Sequence, residues 1–249
     1  MKVVFDPAFY EVYTHDPAAE PGRMQAIVQE IEDIAVFISP EPATREELLR
    51  AHGEDLLEEV RREGVFDIAA LAAGAAILSA RMSFKEPVFG LIRPPGHHAS
   101  RDSCWGFCYF SNMAVALLAM KAEGLIQTAH VLDFDLHFGD GTTNILGPLP
   151  WVSLHNPMSR NRKDYMEDVE SRLESLETDI IGISAGFDHH RDDWGGLLRT
   201  EDYFDMGRWA KKASRRCNAG LFALLEGGYN HKVLGKNARA LMEGMASEP

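Results

Sequence analysis

Val131-Leu132-Asp133-Phe134-Asp135-Leu136-His137-Phe138 decides how the chain is read. Side chains of an extended strand alternate between its two faces. Leu132, Phe134, Leu136 and Phe138 then share one wholly apolar face, and Asp133, Asp135 and His137 share the other. Two carboxylates and an imidazole along one face of an interior strand are costly unless something compensates them. A divalent cation would do so. One imidazole, one or two carboxylates and an open position for water suit zinc. Ligand type alone leaves iron(II) open. Asp188 is the best third carboxylate, because it ends another apolar run after the flexible Ala185-Gly186.

Outward from that stretch, apolar runs alternate with helical ones. Strands are expected at Val3–Phe5, Ala35–Ile38, Val88–Ile92, His130–Asp135, Trp151–His155, Ile180–Ser184 and Leu221–Leu225. Helices are expected near Gly22–Glu32, Arg45–Arg62, Ile68–Met82, Asn112–Glu123, Tyr165–Leu176, Thr200–Arg216 and His231–Met245. Strands rich in Val, Ile and Leu that alternate with helices indicate parallel βα units and an α/β fold. No repeat or linker interrupts the pattern, so residues 1–249 read as one domain. Four strands run into polar, Gly-rich segments: 93–98, 136–141, 185–188 and 226–230. Ligands of open α/β sheets sit at the carboxyl ends of the strands, so these four segments should converge on one pocket.

Two further features suit catalysis there. His97-His98 follows Pro94-Pro95-Gly96, and a turn can aim both imidazoles at one centre. Imidazole is the usual acid–base group near neutral pH. An acidic partner would fix each tautomer, and Asp133 and Asp140 are the candidates. Tyr229 follows Gly227-Gly228, where the backbone can turn tightly, and a neutral phenol can donate to a developing oxyanion.

Composition narrows the classes. The formal charge of −13 argues against nucleic-acid binding, which needs a basic face; it would attract cationic substrates, although solubility alone accounts for it. No apolar run approaches the roughly 20 residues of a membrane span. The apolar N-terminal stretch is too short for a signal peptide, so a cytoplasmic location is expected. Three cysteines without a CxxC pair argue against a disulfide framework and a Cys-rich zinc site, and Cys108, within an aromatic run, should be a buried thiol.

The segments RPPGHHA (93–99), WGFCYFSNMA (105–114), DFDLHFGDGT (133–142), VSLH (152–155), SAGFD (184–188) and EGGYN (226–230) resemble the histone deacetylase superfamily, which includes the acetylpolyamine amidohydrolases. RPPGHH and AGFD resemble the class II and acetylpolyamine branch most. A weaker match covers His15 to Arg23, Glu46 to Leu48 and His52. The resemblance implies a single three-layer α/β domain, arginase/deacetylase-like, with a mainly parallel sheet of about eight strands between helices. It implies hydrolysis of an acyl-amide, on lysine side chains or small amines such as polyamines, by water that zinc activates. It places the zinc ligands on Asp135, His137 and Asp188, and moves Asp133 into a supporting role. The histidine pair falls on His97 and His98, backed by Asp133 and Asp140, and the carbonyl-polarising tyrosine on Tyr229. The resemblance also places Gly106, Phe107 and Gly227 along an acyl-lysine tunnel and Arg23 near an internal acetate-exit channel. A structural potassium would use Asp133, Asp135, His137, Ser153 and Leu154, several through backbone carbonyls.

The chain departs from the family pattern around the pocket. After His52 it lacks the long loop that supplies a substrate-gripping carboxylate, and Leu56 stands at a tyrosine position. After His155 the Phe- and Gly-rich rim is replaced by Asn156-Pro157-Met158-Ser159-Arg160. A shallower, more open site with less rim-based specificity is expected, with His189 and His190 as rim residues. The alternative to an active enzyme is a catalytically silent relative that binds acyl-amines or a protein partner. An arginase-like dimanganese site would need more carboxylate ligands than this chain offers.

Overall fold

The computed structural model describes residues 1–248. Its sheet has the order β2-β1-β3-β7-β6-β4-β5. The strands are β1 Lys2–Val4, β2 Val36–Ile38, β3 Val88–Gly90, β4 Ala129–Asp133, β5 Val152–His155, β6 Ile180–Ala185 and β7 Gly220–Leu225. The seven strands are those the alternating pattern predicts, in a sheet of about the size the resemblance implies, and every pairing is parallel. Every residue of β3, β4, β6 and β7 is buried. Burial of both alternating sets means that both faces of these strands are covered, as in helix-flanked parallel sheets.

Nine α-helices flank the sheet among the described residues: α1 Arg23–Ile31, α2 Arg45–Ala51, α3 Glu54–Arg62, α4 Phe66–Met82, α5 Asn112–Ala122, α6 Asp140–Leu146, α7 Arg162–Glu174, α8 Thr200–Cys217 and α9 His231–Ala246. α4 is rich in Ala, with Ile and Leu, and packs on β1, β3 and β7, while α8 packs on β6 and β7. Small alanines let α4 lie close to the strands, so its burial comes from proximity rather than from large side chains.

Three local expectations fail for identifiable reasons. The helix expected over Arg45–Arg62 is broken at His52-Gly53. His52 leaves the helix with φ −121° because both its ring nitrogens are taken by backbone groups, at Ser100 O and Ser111 N, each 2.9 Å away. β4 ends at Asp133, not Asp135. The Asp133 carboxylate accepts the Asp135 N–H and the Asp135 carboxylate accepts the His137 N–H, which curls the chain off the sheet. The apolar face expected to continue past the strand therefore dissolves: Leu136 is half-buried and Phe138 is exposed. α6, starting at Asp140, was not expected at all.

Candidate metal and proton-transfer site

The four strand ends do converge. β3 leads into His97 and His98, β4 into Asp135 and His137, β6 into Asp188, and β7 into Gly227 and Tyr229. A cavity of about 130 Å³ is lined by His97, His98, Trp105, Phe107, Trp194 and Tyr229, with His137, Gly106 and Gly227 also in its wall.

On one side lie Asp135, His137 and Asp188, whose ligand atoms all fall within 4.8 Å of one another. Asp135 Oδ1 and Asp188 Oδ2 are each 3.2 Å from the same atom, His137 Nδ1. A single ring N–H cannot serve both carboxylates. Asp188 Oδ2 is buried and has no hydrogen-bond partner, while Asp188 Oδ1 accepts the Leu136 N–H. Burial and the neighbouring Asp135 carboxylate raise Asp188 to about 7. Burial acts on Asp135 in the same sense, but His97 and His137 outweigh it and lower its pKa. The nearby Asp135 and Asp188 carboxylates lift His137 to about 10. Two adjacent carboxylates are thus buried with less positive charge than they call for. An orphaned acceptor, a shared imidazole nitrogen and this charge deficit all fit a bound divalent cation.

Gly227 closes this side. Its N–H donates to Asp135 Oδ2 at 2.9 Å, and a Cβ here would lie 2.6 Å from both Asp135 Oδ2 and Asp188 Oδ2. Only a residue without a side chain leaves that space free.

The histidines occupy the other side. Their rings lie 4.0 Å apart at 45°. His97 Nδ1 is 3.1 Å from Asp133 Oδ2, and His98 Nδ1 is 2.6 Å from Asp140 Oδ1. Each carboxylate accepts the Nδ1–H and leaves Nε2 available. Burial opposes charge on His97, yet Asp135 and Asp133 outweigh it and hold its pKa well above the ordinary value. Burial and the adjacent His97 push His98 down to about 4. Gly106, at φ 58°, passes so close to His98 that a Cβ would come within 2.4 Å of the imidazole. Tyr229 is edge-on to Phe107, at 6.3 Å and 80°. Burial, with the Asp135 and Asp188 charges, raises its pKa and keeps the phenol protonated.

Several contributors were not read from the sequence. Glu226 is fully buried, and its Oε2 accepts the N–H groups of Gly96 and His97, fixing the turn that carries the histidine pair. Its position directly after the buried run of β7 was the available signal. Arg23, which the resemblance did place near the site, is also fully buried and donates to the carbonyls of Gly228 and Glu226 at 2.8 and 2.6 Å, and so holds the loop before Tyr229. Trp194 stacks on Tyr229 at 4.0 Å and 23° and stands edge-on to His137. The Asp193 carboxylate next to it accepts the N–H groups of Tyr229 and Asn230, both at 2.8 Å. Trp194 thereby narrows a mouth expected to be open. His189 and His190 are not rim residues: His190 is 3% exposed and stacks on Tyr203, and half-buried His189 packs against Tyr165. Ser153, expected at a potassium site, is 2.7 Å from His130 Nδ1 through its hydroxyl, and Leu154 lies beside it on β5. Cys108 is a buried free thiol.

The parallel sheet carries at its strand ends a pocket of Asp, His and Tyr in which Asp135, His137 and Asp188 could hold a metal ion, which places the chain among α/β proteins with a candidate metal site. A family model described as the histone deacetylase domain matches residues 62–161 and 160–245. The chain belongs to the histone deacetylase family. It is 38% identical to a histone deacetylase-like amidohydrolase of Pseudomonas aeruginosa, over 84% of this chain and 70% of that one. It is 28% identical to a probable deacetylase of Methanothermobacter thermautotrophicus, over 100% of this chain and 91% of the relative. That alignment runs over 307 positions, so the relative has residues that this chain lacks. The crystal structure of the HDA15 HD domain superposes with a TM-score of 0.87 at 23% identity, covering 100% of this chain and 91% of that one, and shares the fold. No helix among the described residues is long and apolar enough to cross a membrane.

Proposed function

We propose that the protein is a zinc-dependent amidohydrolase that removes acetyl or other acyl groups from lysine side chains or from small amines such as polyamines. One observation carries the reading: the buried, partnerless Asp188 Oδ2 faces His137 Nδ1 and Asp135 across a cavity from two His–Asp pairs. A zinc ion, or iron(II), held by Asp135, His137 and Asp188 would supply Lewis-acid chemistry, acidifying water and polarising a carbonyl. The chain's own groups do the rest. Asp133 and Asp140 hold their histidines as Nδ1–H tautomers, which turns the Nε2 atoms to the reacting groups. The histidine pair takes a proton from the attacking water. Tyr229 donates its phenol hydrogen to the carbonyl oxygen as that oxygen gains charge. The pair then protonates the amine nitrogen as the C–N bond breaks. Phe107, Gly106 and Gly227 flank the acyl-bearing stem. A potassium ion bound by Asp133, Asp135, His137, Ser153 and Leu154 would stiffen the base of this site, and the Ser153 oxygen keeps a lone pair for it beyond its contact with His130.

The test is hydrolysis of an acetyl-lysine fluorogenic peptide and of an acetylated polyamine by metal-stripped protein reloaded with zinc or iron(II). Reloaded protein is expected to turn over at least one of them, and Asp188→Ala is expected to lose both metal and turnover. Normal turnover by Asp188→Ala sinks the metal assignment. A reloaded protein inert on both substrates sinks the function.

A further inference from the structure

The two His–Asp pairs are built differently. His97 and Asp133 are both sealed in protein, with side chains 4% and 2% exposed. His98 is equally buried, at 5%, but the side chain of its partner Asp140 is 43% exposed. A carboxylate in that position can trade its histidine for water, and a rotation about χ2 would release the Nδ1–H. The structure supplies a third group. The indole N–H of Trp105 donates to Asp140 Oδ2 at 2.9 Å, while His98 holds Oδ1. The same indole lies over the His98 ring, with centroids 3.9 Å apart and planes at 32°. Trp105 is 55% exposed, so burial does not hold it in place. What aims it is the chain immediately after it: Gly106 and Phe107 both have positive φ, 58° and 67°, and this turn lays the indole on the imidazole. An indole N–H can only donate, so its bond to Asp140 has a fixed sense and cannot invert to compete for the histidine proton.

We propose that Trp105 is a positioning residue for proton transfer, locking the Asp140 carboxylate through its N–H and covering the open face of His98 with its ring. This rests on the amidohydrolase reading above. With both carboxylate oxygens engaged, Asp140 stays in plane with His98 and the Nδ1–H tautomer is held through the proton transfers. The sealed His97–Asp133 pair needs no such group.

The experiment is a double-mutant cycle between Trp105 and Asp140 in the zinc-loaded 249-residue chain, assayed on an acetyl-lysine fluorogenic peptide. Trp105→Phe keeps an aromatic ring to cover His98 and removes the N–H together with the pyrrole part of the indole. It is expected to lower kcat roughly tenfold, as loss of a hydrogen bond to a charged group does, with KM changed less than about threefold. In an Asp140→Ala background the same change should alter kcat less than about twofold, because the partner is gone. An unchanged kcat in Trp105→Phe, an equal loss in both backgrounds, or a rise in KM alone overturns the proposal and leaves Trp105 a wall. A second readout does not depend on turnover. The indole N–H resonance that disappears in Trp105→Phe should shift in Asp140→Ala, and an unmoved resonance overturns the bond itself. Wild-type protein inert on every acyl-amine, with the resonance shifting as expected, would instead overturn the amidohydrolase reading and the catalytic role that depends on it.

Discussion

The two sides of the pocket satisfy their charges in opposite ways. On the histidine side each imidazole has its own carboxylate, and the groups form closed pairs within the protein. On the Asp135–His137–Asp188 side two carboxylates compete for one imidazole nitrogen, and one buried oxygen is left without a partner. Native interiors rarely tolerate an orphaned charged acceptor. The difference teaches that one side is complete as polypeptide, whereas the other calls for a cation. Losses on the two sides should therefore look different in the test tube.

The largest expected effect breaks the cation side. Asp188→Ala should release the metal and abolish measurable turnover, checked by metal analysis alongside the peptide assay. His98→Ala should lower kcat by about 10² to 10⁴, the usual contribution of a positioned acid–base group, while metal content stays at the wild-type level. Metal lost in both variants would erase the distinction. Tyr229→Phe removes one oxyanion donor and should cost roughly 10²–10³ in kcat, again with metal retained.

A smaller effect concerns the support of the histidine side. His52 ties Ser100 and Ser111 at the two ends of the segment that holds Trp105 and Phe107. Burial lowers its pKa to about 4. A depressed folded-state pKa gives stability that is full above the unfolded value near 6.5 and is lost as pH falls toward 4. Denaturant titrations should show stability falling by up to about 3 kcal/mol over that window. His52→Gln should start less stable and show a flatter acid limb, and an unchanged limb would mean that His52 is not buried neutral. The smallest effect falls at the mouth. Trp194→Leu removes the ring stacked on Tyr229 and should raise KM severalfold, with kcat falling less than in Tyr229→Phe. A kcat loss equal to that of Tyr229→Phe would show that the indole fixes the phenol.

The alternating βα pattern and the four strand ends were legible because they rest on runs of Val, Ile and Leu and on chemistry that such runs do not tolerate. Asp135 and His137 were legible on the same ground, although their backbone is a bend and not a strand. The Asp-x-Asp-x-His spacing makes that bend, since each carboxylate captures the N–H two residues on. The break at His52 was not legible, because partners at Ser100 and Ser111 override a good helical sequence. Nor was the place of Trp194, which depends on the Asp193 carboxylate reaching two N–H groups of a strand-end loop that lies 36 residues or more further along the chain. The same holds for His189 and His190: their sequence setting suggested a rim, and the loop that buries them is set by long-range packing.

The strand order also carries a consequence for biosynthesis. β7 alone joins β3 to β6, pairing Val88 with Phe222 on one edge and Ile180 with Gly220 on the other. During translation the strand edges of the β2-β1-β3 part and the β6-β4-β5 part cannot be joined into one sheet until about residue 225 has emerged, a high-contact-order closure that slows folding and leaves apolar strand edges waiting. Asp135, His137 and Asp188 all belong to the second part, whereas His97 and His98 belong to the first. The histidine pair and the three acidic and imidazole groups of the cation side have then all been made, whereas Gly227, which closes that side, and Tyr229 come only with the loop after β7.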